Sequence, residues 1–258
     1  MLVAPRLQIF DLMACDVYWD FDSPDPREQH KFLVAFYPTG GPPVHELIDT
    51  ITAYGPNGYR AEIANQPFTP KNRNGHIYDR TTDSHWYMLN LATGFMEPGE
   101  YRIEVAPKDG GAPVVASRVQ QAGPTAALVG AYESHRKVIY ESFSPGQGDV
   151  LGDAAPRQGV EVRWSSLHQL AGQDAYYIFR LSQGASIAEF DTQNLHWWDN
   201  IFVQRATDRT AGLNRDRVTV SAALEPGTPY VYFTEITDSN AMGDTNICVF
   251  QPHQSFRA

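Results

Sequence analysis

Two histidines and two aspartates lie close together in the first half of the chain, and these side-chain types are the ones that bind divalent metal ions. The four candidates are His76, Asp79, Asp83 and His85. Imidazole and carboxylate ligands could hold such an ion, and an open coordination position would then permit hydrolytic chemistry. However, the spacing fits no standard metal motif, and Asp79 belongs to an Asp-Arg-Thr phrase whose second copy, 208–210, has no histidine beside it. We therefore expect a structural turn or ion pair here and no metal site.

The densest aromatic cluster in the chain is LHWWDN, residues 195–200. An indole ring has a flat apolar face and a polar edge, which suit a sugar, a peptide or another subunit. In the alternative interpretation, Trp197 and Trp198 point to opposite faces of a strand, one into the core and one over a neighbouring loop. The candidates that we assign to ligand or partner binding are His85, Trp86, His196, Trp197, Trp198 and Asp199.

A third group of candidates is acidic and lies near the N-terminus. Asp20, Asp22 and Asp25 could supply the hard oxygen ligands that calcium prefers. Pro24 and Pro26 interrupt the run, and no EF-hand loop surrounds it. We therefore expect a solvated turn.

Motifs for nucleophilic catalysis and for phosphate binding are missing from the sequence. No Gly-x-Ser-x-Gly elbow occurs, and neither Cys15 nor Cys248 has a recognisable activating context. The glycine-rich segments 39–43 and 108–112 lack the Lys-Ser/Thr ending of a phosphate-binding loop. We assign no catalytic residue and expect no cofactor, and the sequence leans against an enzyme. Both cysteines are expected to be reduced and buried.

The composition is typical of a soluble globular protein, with 258 residues of which 42% are hydrophobic and 19% charged. This length suits two domains. The net charge of −10 argues against nucleic-acid binding, which needs clustered Lys and Arg. No apolar run approaches the roughly 20 residues that span a bilayer, so no membrane insertion is expected. No signal peptide is visible, which slightly favours an intracellular location unless a leader was removed.

Similar phrases about half a chain apart predict an internal duplication. MEPGEYRIEV at 96–105 resembles LEPGTPYVYF at 224–233. Near the start of each half, VYWD at 17–20 corresponds to VIYE at 138–141, and a Ser-Pro pair follows both. The matches keep their order while their offset drifts, which is what insertions in loops leave behind.

Short β-rich runs separated by Gly, Pro, Asn and Asp fill both halves of the chain. Two of these predicted strands are 114–119 and 160–164, and alternation in the second predicts that Val160, Val162 and Trp164 point inward. No long segment shows apolar residues at helical spacing. We therefore predict an all-β fold of two tandem antiparallel β-sandwiches, residues 1–123 and 124–258. The boundary is expected in the short polar segment 120–124.

The second half resembles a fibronectin type III or related immunoglobulin-like domain. Trp164 ends an alternating strand, where that family places its core tryptophan, and Tyr230 follows a Glu-Pro-Gly turn like the family's tyrosine corner. In the first half Phe36 replaces the tryptophan and Tyr101 keeps the corner. The resemblance implies that both tyrosines are buried with their hydroxyls bonded to backbone, and that Trp164 is a core residue.

These observations predict a non-enzymatic module that binds another protein or assembles with copies of itself. Both halves carry a long insertion, 62–86 and 190–217, and we expect these insertions to form the functional surface. One alternative is an enzyme or small-ligand binder that uses a cleft between the two sandwiches. Another is a carbohydrate-binding module that uses exposed tryptophans.

Overall fold

The fold consists mainly of β-strands. The structure, a computed structural model, describes residues 7–21, 25–69, 71–79, 84–153, 155–191, 194–204 and 207–258. In the structure, strands account for 43% and helices for 17%. The prediction of a mainly β fold is therefore correct, although the chain also contains a long helix.

The chain divides into two compact units, and each unit takes in a short segment from the other part of the sequence. The first unit comprises the described residues up to Val17 together with Glu28–Ala122 and Ala241–Asn246. The second unit comprises Tyr18–Arg27, Gly123–Asn240 and Ile247–Ala258. Neither of these two exchanged segments is visible from the sequence pattern.

The first unit is built from strands, one short α-helix and a 3-10 helix at Pro56–Gly58. Its described elements are β1 (Ile9–Trp19, whose last two residues belong to the second unit), β2 (Glu28–Phe36), α1 (Val44–Leu47), β3 (Ile48–Tyr54), β4 (Arg60–Ile63), β5 (Asn74–Asp79), β6 (Ser84–Thr93), β7 (Gly99–Pro107) and β8 (Val114–Gln120).

Two groups of neighbouring strands share the apolar core of the first unit. One is a four-stranded antiparallel sheet in the order β4-β3-β7-β8, and the other runs β1-β2-β6-β5. Phe32 and Phe36 of β2 pack in the same cluster as Ile103 and Val105 of β7. Alternate residues of each strand point inward, so one face of each sheet is used for the core.

The second unit begins with a long helix. Its described elements are α2 (Ala122–Ser142, whose first residue belongs to the first unit), β9 (Asp149–Val150), β10 (Val160–Arg163), α3 (Leu167–Ala171), β11 (Tyr176–Gln183), β12 (Trp197–Asp199), α4 (Ile201–Gln204), β13 (Arg217–Val220), β14 (Pro229–Thr237), β15 (Ile247–Phe250) and β16 (Gln254–Arg257).

The core of the second unit is centred on Trp164. The main sheet of this unit has the order β12-β11-β14-β15, β16 also pairs with β14, and β10 pairs with β13. Trp164 is only 4% exposed, and its ring lies 5.8 Å from Phe143, 5.6 Å from Tyr177 and 6.4 Å from Phe179 between centroids. Val160 and Val162 are also buried, so the predicted inward positions of this strand are confirmed.

The helix α2 corrects the prediction that no long helix exists. Its buried positions are Thr125, Leu128, Tyr132 and Ile139, spaced as one face of a helix requires. Polar residues interrupt this stripe at its first member and at Arg136, which hid the helical period in the sequence. The segment 138–141, which the sequence matches to residues 17–20, is therefore helical. Within the described part of the chain, no helix is long and apolar enough to cross a membrane.

Asp20 also differs from its prediction, because its side chain is buried and bonded instead of lying on a solvated turn. The hydroxyl of Tyr132 donates to Oδ2 of Asp20 at 2.8 Å. Arg136 donates from Nε and Nη2 to the two carboxylate oxygens, at 2.9 and 2.7 Å. The carboxylate thereby ties the 18–27 segment to α2. Asp22 lies outside the described residues.

Both predicted tyrosine corners have the expected geometry. Tyr101 and Tyr230 are buried. The hydroxyl of Tyr101 donates to the carbonyl oxygen of Glu97 at 3.0 Å, and the hydroxyl of Tyr230 accepts from the backbone N–H of Glu225 at 2.9 Å. The expectation of buried thiols is confirmed as well, since Cys15 and Cys248 are both buried and neither is in a disulfide.

Replacing Trp164 by Ala should remove the centre of the second core. We expect a loss of about 3 to 5 kcal/mol in the free energy of unfolding, as for other deleted core aromatics. Urea denaturation monitored by circular dichroism would measure the change. An unfolding free energy within about 1 kcal/mol of the parent protein would contradict the role assigned to this ring.

Tyr230→Phe should remove the hydrogen bond that the hydroxyl of this buried tyrosine accepts from the backbone N–H of Glu225. The expected cost is about 1 to 3 kcal/mol, the usual penalty for removing one partner of a hydrogen bond. Tyr37→Phe is the matched control, because Tyr37 is half exposed and loses only a solvated hydroxyl. Equal denaturation midpoints for the two variants would show that the corner hydrogen bond contributes nothing.

Candidate functional site

The end strand β8 exposes a short apolar row. It is the last strand of its sheet, and among the strands that the structure describes it pairs with β7 alone. Val115 is 51% and Val119 58% exposed, and Ser117 between them is exposed too. We call these three residues the β8 outer row. An exposed strand edge with apolar side chains is a template for pairing with another strand.

The opposite face of β8 is fixed by the buried guanidinium of Arg118. Its Nε donates to the carbonyl oxygen of Ala14 at 3.0 Å, and Nη2 donates to Oδ1 of Asn246 at 3.1 Å. Nη1 and Nη2 also donate to the carbonyl oxygens of Gly243 and Thr245. Because side chains alternate along a strand, burying Arg118 turns its two neighbours outward.

Gln120 anchors the end of β8 in a similar way. Its Nε2 donates to Oδ2 of Asp16 at 3.0 Å and to the carbonyl oxygen of Asn246 at 2.8 Å. The second carboxylate oxygen of Asp16 accepts from the backbone N–H of Met96 at 2.7 Å. The register and the inward face of β8 are thus held by side-chain bonds at two positions, which leaves the outer row little freedom.

The neighbouring strand β7 places charges beside the outer row, but the row itself carries none. The cross-strand pairs are Glu100 with Val119, Arg102 with Ser117, and Glu104 with Val115. Arg102 forms an ion pair with Glu104 at 3.2 Å, and its guanidinium lies 5.2 Å from the ring centroid of Tyr54. Arg102 and Glu104 are therefore engaged within their own sheet.

Other sheet edges are shorter or covered. β4 has four residues and carries the exposed ion pair of Arg60 with Glu62 at 2.7 Å. β5 is covered by the segment before it, since the N–H of His76 donates to the oxygen of Gln66 at 2.7 Å and its carbonyl accepts from Phe68 at 2.9 Å. The remaining end strands, β9, β10, β12 and β13, have two to four residues. Among the described end strands, β8 is the longest one paired on a single side.

The predicted aromatic site forms a short edge strand. Trp197 is half-buried, donates from Nε1 to Oγ of Ser221 at 3.0 Å, and lies 5.8 Å from the ring of Phe179. Nε2 of His196 lies 3.0 Å from the carbonyl oxygen of Ala223. Both side chains are thus engaged within the second unit.

Trp198 and Asp199 also have partners within the same unit. The ring of Trp198 lies 5.4 Å from the guanidinium of Arg180, which in turn forms an ion pair with the buried Glu235 at 2.6 Å. Asp199 is buried and paired with Arg215. The segment forms strand β12, which pairs with β11, and both tryptophans are half-buried. Its role in binding stays a prediction.

His85 and Trp86 belong to β6 of the first unit, whereas residues 196–199 belong to the second. Trp86 is buried and donates from Nε1 to Oγ of Ser84 at 2.6 Å, so its ring is part of the packed interior. His85 lies in a group of three histidines. The third member, His45, was not among the predicted site residues, because it comes from α1 and is distant along the chain.

The three histidine rings pack against one another. His45 and His76 are stacked with centroids 4.8 Å apart, and His85 lies 5.6 Å from the first ring and 6.4 Å from the second. Burial, together with the charges that His45 and His85 can carry, lowers the pKa of His76 to about 4. Across the described residues, no group of His, Cys, Asp or Glu is placed to hold a metal ion. Asp83 and the side chain of Asp79 lie outside that part.

The lowered pKa of His76 should make stability depend on pH. An unfolded chain protonates this ring near pH 6.5, whereas the folded chain does so near pH 4. Between these values the unfolded state binds more protons, so the unfolding free energy falls as the pH drops. His76→Gln should weaken this dependence, measured as urea midpoints at about pH 7 and about pH 5. A similar weakening in the control His135→Gln would contradict this assignment.

Comparison with known proteins gives no assignment. No protein-family model matches this sequence, and none of the curated proteins is significantly similar to it.

Proposed function

We propose that this protein is a non-enzymatic module that assembles with a second copy of itself through the outer edge of β8. The observation that carries the proposal is a seven-residue end strand, paired on one side, whose Val115 and Val119 are more than half exposed. The other end strands of the described chain are shorter, or covered like β5. Natural proteins usually protect long apolar edges, so an unprotected one suggests use in association.

Strand addition at this edge supplies two favourable contributions. Backbone N–H and C=O groups on the outer side of β8 exchange water for hydrogen bonds with another strand. The side chains of Val115 and Val119 lose exposed apolar surface, which contributes roughly 25 cal/mol for each Å² removed from water. The outer row carries no charge, so these side chains add no cost of burying an ion.

The edge of β8 is preorganised for binding. Arg118 and Gln120 hold the inner face of β8 through bonds to Ala14, Asp16 and Asn246. A strand that is already ordered loses little conformational entropy on association. An edge without such anchors would have to be ordered by the partner.

The two units are proposed to be related β-sandwiches that resemble fibronectin type III domains and arose by duplication. Tyr101 on β7 and Tyr230 on β14 support this, because each follows a Pro-Gly turn and bonds the backbone just before it. The helical conformation of 138–141 removes one of the sequence matches behind the idea. Fold resemblance alone does not imply function, so the assembly proposal depends on β8 and not on the family.

Val119→Lys tests the proposed surface directly. Light scattering over a range of concentrations should show the parent protein forming dimers and the variant requiring at least about tenfold higher concentration, because a lysine on an edge strand opposes pairing with another strand. The unfolding free energy should change by less than about 0.5 kcal/mol, as for other exposed positions.

Val138→Lys is the matched control, since Val138 is 50% exposed and lies on α2. This variant should associate like the parent protein. A parent chain that stays monomeric at high concentration, or equal association of the two lysine variants, would contradict the proposal.

A further inference from the structure

We infer that the second copy pairs in one register, with β8 antiparallel to β8 and a two-fold axis beside Ser117. This inference rests on the proposed function and names the geometry of its partner. Val115 then lies opposite Val119 of the second copy, and Ser117 lies opposite its own counterpart. The outer row makes this register self-complementary, because its residues read Val, Ser, Val in either direction.

Alternative antiparallel registers are less favourable. An axis beside Arg118 would place this guanidinium opposite that of the second copy on the inner face, where like charges repel. An axis beside Ala116 would set Val119 opposite Pro113, which has no N–H to donate. An axis between two residues would match an outward side chain with an inward one, since faces alternate along a strand.

The charges on β7 are compatible with the inferred register. In a joined sheet, the β7 strands of the two copies are separated by three strand spacings, roughly 14 Å. Glu100 of one copy then shares a row with Glu104 of the other, and the two Arg102 side chains share the central row. This separation exceeds the Debye length of about 8 Å at physiological salt, so the like charges interact weakly.

The register also limits the size of the assembly. A two-fold interface uses the same edge on both copies, so the pair is closed and leaves no β8 edge for a third chain. The two four-stranded sheets would become one continuous sheet of eight strands. The contact is small compared with the roughly 1,600 Å² of a standard interface, so the dimer should be weak and depend on concentration.

Single cysteine substitutions can distinguish this register from others. Paired residues across antiparallel strands have Cα atoms about 4.5 to 5.5 Å apart, within the range that a disulfide can bridge. Ser117→Cys should therefore form a disulfide-linked dimer under mild oxidation, at least about tenfold faster than Val138→Cys, because pairing raises the effective thiol concentration. The native Cys15 and Cys248 are buried and should not contribute.

Cysteines at positions 115 and 119 distinguish the inferred register from the others. In the inferred dimer, residue 115 lies roughly 14 Å from residue 115 of the other copy, too far for a disulfide. Val115→Cys and Val119→Cys should each crosslink no faster than Val138→Cys when alone, but their equimolar mixture should yield a mixed dimer as fast as Ser117→Cys. Mass spectrometry of the crosslinked species identifies the linked residues.

The outcomes separate this inference from the function on which it rests. Suppose that the chain dimerises and that Val119→Lys weakens the dimer, but that Val115→Cys crosslinks with itself. Then β8 is the assembly surface, as proposed, and the two-fold axis beside Ser117 is wrong. If higher oligomers form through β8, the closed pair is wrong. If no variant crosslinks faster than Val138→Cys and the parent protein is monomeric, the inference and the proposed function both fail.

Discussion

The burial of Arg118 is the constraint on which the account of β8 depends. Removing a guanidinium from water is costly unless oxygen acceptors surround it. Here the acceptors come from three parts of the chain, the carbonyl oxygens of Ala14, Gly243 and Thr245 and the side chain of Asn246. The group therefore links β8, β1 and the 241–246 segment within the first unit. Once it is buried, strand alternation leaves Val115 and Val119 facing outward.

The other sheet edges differ from the edge of β8. β4 exposes an ion pair, β5 is covered by residues 66–68, and β12 is only three residues long. Each of these features hinders pairing with another chain. β8 combines length, order and an uncharged outer row. The same fold thus contains protected edges and one that is suited to association.

Local sequence patterns predicted much of the packing. Alternation placed Val160, Val162 and Trp164 in the core, and the Pro-Gly turns located Tyr101 and Tyr230 correctly. These features depend on neighbours in sequence, so they are visible without a structure. The strand at β8 was also predicted, but its position at the end of a sheet was not, because sheet order depends on distant pairings.

The features that the sequence did not reveal involve partners far along the chain. Asp20 is buried because Tyr132 and Arg136 reach it from α2, and that helix was itself hidden by polar residues in its buried stripe. The ring of His45 stacks on His76 in the same way, since α1 and β5 are separated along the chain by strands β3 and β4. Burial of polar groups is decided by such long-range contacts.

Amide hydrogen exchange of β8 at low and high protein concentration tests the central claim most directly. Strand addition predicts that the amides of residues 114–120 exchange more slowly at high concentration, while those of the covered strand β5 do not change. The effect should be absent in Val119→Lys. Dimerisation without added protection of β8, or protection that is independent of concentration, would contradict the claim that this edge is the assembly surface.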